Sequence, residues 1–115
     1  MVSKTKVKPQ DLVLARAFKR EAKKILGDNL VSVVLYGSRA RGTAKADSDM
    51  DILLLTKRQL SHSDPEDWAL SEVSGRFLTE KDMLITAIPY SVEKYEKEKE
   101  WLPVLHWIEK EGVEI

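Results

Sequence analysis

Apolar residues in the first half of the chain change from helical spacing to short continuous runs. After Pro9 and Asp11 they recur at intervals of three and four residues, as on one face of a helix, until Gly27 ends the pattern. Two mainly apolar runs follow, Leu30 to Tyr36 and Ile52 to Leu55, and both are too short for comfortable helices. The pattern therefore predicts one helix followed by two buried strands.

The next part of the chain predicts a second long helix and a third strand. Asp64 is the predicted N-cap of that helix, and Pro65 is its predicted first residue. Its core-facing stripe is predicted to consist of Trp68, Leu70, Val73, Phe77 and Leu78. The run from Asp82 to Ile88 predicts a strand that Pro89 closes.

The C-terminal part predicts short helices and an extended end. A charged helical turn is predicted from Ser91 through Tyr95, and Pro103 is acceptable in the first turn of a last helix. That last helix takes its apolar positions from Trp101, Leu102, Leu105 and Ile108. After Gly112, the residues from Val113 to Ile115 are predicted to be extended. Helices and strands alternate along the chain, so the predicted fold class is α/β.

Composition excludes several classes of protein. With 115 residues, the chain is predicted to form a single domain over residues 1–115. Its 19 basic and 19 acidic side chains balance, which argues against a strongly basic nucleic-acid coat. It has no cysteine, which removes thiol catalysis and thiolate metal sites and fits a reducing compartment, so a cytoplasmic location is expected. No apolar run approaches the length of a membrane span, and no membrane contact is expected.

The connector between the first two predicted strands carries a turn that suits phosphate. It runs from Gly37 to Met50 and is predicted to form a tight turn, a short helix and a loop. Gly37 allows close backbone approach to a ligand, and the backbone N–H groups and hydroxyl of Ser38 are donors of the kind that phosphate sites use.

Two carboxylates follow at the end of the same connector. Asp49 and Asp51 are separated by one residue at the head of the second strand, so both are expected on one face. Such a pair suits Mg²⁺, which usually takes one or two carboxylates together with water and substrate phosphates. Either feature alone is typical of an ordinary turn or polar loop. Side by side, they favour a nucleotide site.

These residues resemble the signature of the minimal nucleotidyltransferases of the polymerase β-like superfamily. That signature is Gly-Ser, about ten residues, and then Asp-x-Asp, and here ten residues separate Ser38 from Asp49. Arg41 and Gly42 match an Arg-Gly extension of the same signature, and the tight match covers residues 35–55. The resemblance implies a small mixed β-sheet flanked by helices, the polymerase β-like nucleotidyltransferase core.

The resemblance also implies roles for individual residues. Gly37 and Ser38 would contact the phosphates of the nucleotide, and Asp49 and Asp51 would bind Mg²⁺. A third metal-binding acid would lie on a neighbouring strand and activate the attacking hydroxyl. Asp82 is the candidate, and Glu80, two residues earlier, is the alternative. An acid that merely precedes a strand, without a role in the site, is an equal interpretation.

Arg41 is the remaining nucleotide-binding candidate. It would stabilise phosphate charge, and an ion pair with Asp47 or Asp49 is an equal alternative. Arg39 is interpreted as exposed. His62 and His106 are interpreted as packing or surface residues. The three tryptophans are interpreted as core or interface anchors rather than base-stacking platforms.

The implied activity is transfer of AMP from ATP, or of another nucleoside monophosphate from its triphosphate, to an acceptor hydroxyl. In related proteins the acceptor is a tyrosine of a small helical HEPN toxin, and the nucleotidyltransferase is the antitoxin of the pair. Transfer to a small molecule, as in aminoglycoside-modifying relatives, and a non-catalytic nucleotide-binding antitoxin are the alternatives. The sequence leaves open the donor base, the acceptor and whether the chain forms a homo-oligomer.

Overall fold

The computed structural model describes residues 6–115, which contain five helices and four strands. The helices are α1 (Pro9–Leu26), α2 (Ser38–Arg41), α3 (Pro65–Lys81), α4 (Val92–Glu98) and α5 (Pro103–Glu111), and the strands are β1 (Leu30–Tyr36), β2 (Met50–Thr56), β3 (Ile85–Ser91) and β4 (Val113–Glu114). The predicted α/β class is confirmed. None of the helices in this part of the chain is long and apolar enough to cross a membrane.

The strands form one mixed sheet in the order β3-β2-β1-β4. Strand β1 is antiparallel to both β2 and β4, whereas β2 and β3 are parallel. The end of β1 and the beginnings of β2 and β3 therefore lie at the same end of the sheet, with β2 between the other two strands. This confirms the small mixed sheet that the family resemblance implies, and it brings the turn after β1 to the carboxylates at the head of β2.

Helices cover both faces of this sheet. On one face α1 and α3 pack together, and the rings of Phe18 and Phe77 meet edge to face with centroids 5.6 Å apart. On the other face, Leu53 of β2 packs with Tyr95 of α4 and Leu105 of α5. Burial on both faces explains why β1 and β2 are almost continuously apolar in sequence.

The structure excludes a core position for all three tryptophans and leaves the interface position that the sequence also allowed. Trp68, Trp101 and Trp107 are 67%, 66% and 56% exposed. Leu78 of the predicted stripe on α3 is also exposed, while Leu70, Val73 and Phe77 are buried. Successive residues of a helix are about 100° apart, so Trp68 and Leu78 project away from the narrow stripe formed by the other three.

Strand β3 begins and ends later than predicted. It starts at Ile85 and continues through Pro89, which pairs with Leu54 instead of closing the strand. Proline is tolerated there because β3 is an edge strand, where a missing N–H need not remove a ladder hydrogen bond. Asp82 is not at the head of this strand. It ends α3 in the left-handed conformation, with φ of 54°.

Arg39 is buried, contrary to the prediction that it is exposed. Its side chain forms an ion pair with the buried Asp11 of α1, with 2.9 Å between Nη1 and Oδ1. The guanidinium also donates to the carbonyl oxygens of Lys45, Ala46 and Ser48, at 2.8–3.3 Å. One side chain thus connects α1, α2 and the loop that leads into β2.

We expect Arg39→Ala to lower the free energy of unfolding by about 3–5 kcal/mol, because it leaves the carboxylate of Asp11 buried without a countercharge. Arg58→Ala is the matched control, since Arg58 is exposed and pairs with Asp64 and Glu66 at the surface. Its expected cost is about 0–1 kcal/mol. Urea denaturation of the three proteins measures both values, and equal costs would show that the buried pair is not a main source of stability.

Candidate active site

The candidate site lies at the end of the sheet where β1 ends and β2 and β3 begin. The register pairs Asp51 of β2 with Tyr36 of β1 on one side and with Thr86 of β3 on the other. Asp49 lies two residues before Asp51 and one residue before β2 begins. The alternation of the strand places Asp51 on the same face of the sheet as Leu53, which is the face that α4 and α5 cover farther along.

Gly37 lies directly against the carboxylate of Asp51. Its φ is +76°, and a Cβ built on it would overlap Oδ2 of Asp51. The glycine is therefore required by the folded protein itself, both for its conformation and for the space that the carboxylate occupies. The sequence predicted that the backbone of Gly37 comes close to a ligand. In the structure it comes close to Asp51, so the turn after β1 packs against the head of β2.

The turn continues into α2, a single helical turn. The N–H groups of Ala40 and Arg41 both donate to the carbonyl oxygen of Gly37, at 3.1 and 3.2 Å. The first residues of any helix have no intrahelical acceptor for their N–H groups, and in α2 these first residues are Ser38 and Arg39. The predicted turn, short helix and loop are confirmed, with backbone donors at the start of α2.

The electrostatics of the two carboxylates are unfavourable without a counterion. Asp49 is exposed and Asp51 is half-buried. Burial raises the pKa of Asp51, the negative charge of Asp49 raises it further, and Arg41 partly offsets the increase. Burial and the charge of Asp51 likewise raise the pKa of Tyr36. The head of β2 is therefore a place where a cation would relieve an existing electrostatic cost.

The structure separates the two candidates for the third acid. Asp82 lines a groove of about 390 Å³ that also contains Asp49, whereas Glu80 does not line it and is exposed on the last turn of α3. Within residues 6–115, no group of three or more acidic, histidine or cysteine side chains is close enough to hold a metal ion. Asp82 therefore shares a groove with Asp49, and Glu80 does not.

Thr86 is a site residue that sequence reasoning missed. The register places it beside Asp51 on the neighbouring strand, where the family resemblance calls for a third acid. Its hydroxyl is neutral, so it brings no negative charge to a metal ion and is not a base of the strength of a carboxylate. The signal was not available in the sequence, because it depends on where β3 begins and on its register with β2.

Arg41 has a different partner from those considered in the sequence. Its guanidinium pairs with Glu111 of α5, with 3.3 Å between Nη1 and Oε2, and not with Asp47 or Asp49. Both side chains of this pair are partly exposed. Arg41 also lowers the pKa of Asp51. Its positive charge therefore acts on the candidate metal site, while its ion pair with Glu111 connects it to α5.

Comparison with known proteins places the chain among nucleotidyltransferases. Residues 15–110 match the family described as the nucleotidyltransferase domain. Two proteins of Methanocaldococcus jannaschii, MJ0141 and MJ1305, carry provisional names as protein adenylyltransferases. MJ0141 is 32% identical over 77 residues, which cover 67% of this chain and 76% of that protein. MJ1305 is 48% identical over 40 residues, which cover 35% of this chain and 27% of that protein.

Solved structures show the same fold. A chain in a crystal structure described as a toxin-antitoxin with AMP-PNP has a TM-score of 0.54 and 22% identity, covering 84% of this chain and 70% of that chain. A provisionally assigned nucleotidyltransferase from Sulfolobus solfataricus has a TM-score of 0.52 and 21% identity, covering 91% and 82%. With the family match over residues 15–110, these findings confirm the nucleotidyltransferase resemblance seen in the sequence: the chain is an enzyme of the nucleotidyltransferase domain family.

Proposed function

We propose that this chain transfers AMP from ATP to a hydroxyl group of a partner protein. The observation that carries the proposal is the contact between Gly37 and the carboxylate of Asp51. This contact supports a single site formed by the donors at the start of α2 and the acidic pair at the head of β2. Phosphate donors beside paired carboxylates are what a metal-bound nucleoside triphosphate requires.

Asp49 and Asp51 fit Mg²⁺ as its protein ligands. Mg²⁺ keeps several waters and takes few carboxylates, so a pair is sufficient when substrate phosphates complete the coordination. Burial and then the charge of Asp49 raise the pKa of Asp51, so a cation bound here would stabilise the ionised carboxylate. When bound, Mg²⁺ would neutralise negative charge on the phosphates of the substrate.

The residues around this pair would bind the phosphates, stabilise their charge and accept a proton. The backbone N–H groups and hydroxyl of Ser38 would bind phosphate oxygens, and Arg41 would offset part of their charge. Asp82 would accept the proton of the acceptor hydroxyl. The acceptor oxygen then forms a bond to the α-phosphorus, the bond from this phosphorus to the bridging oxygen breaks, and pyrophosphate leaves.

We propose a tyrosine of a helical HEPN protein as the acceptor, with this chain as the antitoxin of the pair and residues 1–115 as one minimal domain. The family resemblance of the sequence motif supports this choice. The name of MJ0141 as a protein adenylyltransferase also favours a protein acceptor over a small molecule.

Transfer is tested with ATP labelled at the α-phosphate, Mg²⁺ and a cell extract, using Asp51→Ala as the inactive control. Label on a protein band that depends on Asp51 would support the proposal. Label on small molecules would instead indicate an aminoglycoside-type activity. An absence of transferred label despite measurable Mg·ATP binding would indicate a non-catalytic nucleotide-binding protein.

Asp51→Asn should abolish detectable transfer, a loss of more than roughly 100-fold, because it removes charge that the transition state requires.

The same change, Asp51→Asn, should stabilise the protein without Mg²⁺ at pH 7. A raised pKa means that the folded state disfavours ionised Asp51, so wild-type stability falls as pH rises through that pKa. Thermal unfolding from pH 3 to 8 without metal measures the difference, which should vanish at the acidic end. A wild-type protein that is more stable at pH 7 would contradict the electrostatic argument.

Gly37→Ala should lose Mg·ATP binding, because the new methyl group would displace the carboxylate of Asp51 and φ is positive. Gly75→Ala is the matched control. Gly75 lies within α3 with open space around it, so alanine should add about 0.5–1 kcal/mol of stability and leave binding unchanged. Isothermal titration of the three proteins with Mg·ATP checks both outcomes. Normal binding by Gly37→Ala would show that the turn serves only the architecture.

Asp82→Asn should slow transfer by about 100-fold or more while leaving Mg·ATP affinity nearly unchanged, because a general base acts on the acceptor rather than on the nucleotide. Glu80→Gln is the control and should have little effect, since Glu80 lies outside the groove that contains Asp49. Single-turnover rates and calorimetric affinities separate chemistry from binding. A stronger effect of Glu80→Gln would assign the role of base to Glu80.

A further inference from the structure

A second cleft lies beside Gly37 and shares no lining residue with the acidic groove. Its volume is about 150 Å³, and Tyr36, Gly37 and Arg41 form one side of it. Val104 and Trp107 of α5 form the other side, and both are more than half exposed. The cleft thus combines an exposed aromatic surface with a floor that belongs to the candidate active site.

We propose that this cleft binds the nucleobase of the triphosphate and that Trp107 is the surface on which the base stacks. The inference rests on the proposed function, since it concerns the same nucleotide. Gly37 is shared by the two regions: it forms part of this cleft and also contacts the carboxylate of Asp51. A nucleotide whose phosphates bind beside Asp51 therefore has this aromatic surface next to it.

Charge distinguishes this cleft from the acidic groove. The groove is lined by Asp47, Asp49 and Asp82, so phosphates would bind there only through Mg²⁺. The cleft contains Arg41, and Nζ of Lys110 lies 5.8 Å from the centroid of the Trp107 ring. The part of the nucleotide that Mg²⁺ does not bind is therefore favoured in the Trp107 cleft.

The other tryptophans provide an internal comparison. Trp68 and Trp101 are slightly more exposed than Trp107, but neither lines this cleft. If exposed indole rings bound nucleotides nonspecifically, substitution of any of the three tryptophans would weaken nucleotide binding to a similar extent. A stacking role would be confined to Trp107, because a base gains contact energy only where a ring lies beside its phosphate site.

The test measures the affinities of the full chain for Mg·ATP and for Mg·triphosphate, the same phosphates without a nucleoside. Trp107→Ala should weaken Mg·ATP binding by roughly 5- to 150-fold, the range expected for loss of one base-stacking contact. Trp107→Phe should recover most of this loss. Binding of triphosphate should be unchanged by Trp107→Ala, which also shows that the variant is folded. Trp101→Ala should match wild type for both ligands.

Three outcomes would count against the inference in different ways. Wild-type affinity of Trp107→Ala for Mg·ATP overturns the stacking role and leaves the proposed function intact. Equal losses for Mg·ATP and triphosphate also overturn it, because they place Trp107 near the phosphates or in the fold. If the wild-type chain binds neither ligand, the proposed function fails, and this inference fails with it.

Discussion

The buried ion pair between Asp11 and Arg39 is the interaction on which the site depends. A buried charge pair offsets its desolvation cost better when its remaining polar atoms find partners. Arg39 finds them by donating to the carbonyl oxygens of Lys45, Ala46 and Ser48, in a loop with no regular secondary structure. The second carboxylate oxygen of Asp11 is buried and has no hydrogen-bond partner among the described residues, so the pair depends all the more on its single direct contact. Arg39 thereby connects the loop that ends at Asp49 to α1. The same ion pair stabilises the fold and positions the loop of the candidate site.

Close backbone packing is the second constraint on the site, and glycine satisfies it twice. A side chain at Gly37 would overlap Asp51, and one at Gly42 would overlap the carbonyl group of Lys6. Both glycines have φ of +76°, a conformation that side chains disfavour. The glycines of the family signature are therefore needed before any ligand binds, since they let α2 fit between the head of β2 and the segment preceding α1. The same packing holds Asp51 in a half-buried position, where its ionised form is costly.

Local sequence information was sufficient for most of the elements and for the motif. Strands β1 and β2 and helices α1 and α3 follow from periodicity, capping and apolar runs, which depend on near neighbours in sequence. The features that were wrong or missed depend on distant partners. Arg39 is buried because Asp11 lies 28 residues away in sequence, and Arg41 is paired with Glu111, 70 residues away. Pro89 lies inside a strand because that strand is at the edge of the sheet. None of these relations can be read from a single sequence without the topology.

The carboxylates of the site are held with unequal rigidity. Asp51 belongs to a strand that is paired on both sides, so its backbone is fixed by two ladders. Asp82 instead ends α3, where its backbone N–H donates to the carbonyl oxygen of Phe77 as the helix cap. The adjacent position on β3 is occupied by Thr86, so the sheet itself supplies no third carboxylate. If Asp82 is the base, a residue on a helix end performs the step that involves the acceptor, while the sheet holds the residues that bind the nucleotide. Such a division suits the chemistry, because the donor site must be fixed and the acceptor is a separate molecule whose hydroxyl the base has to meet.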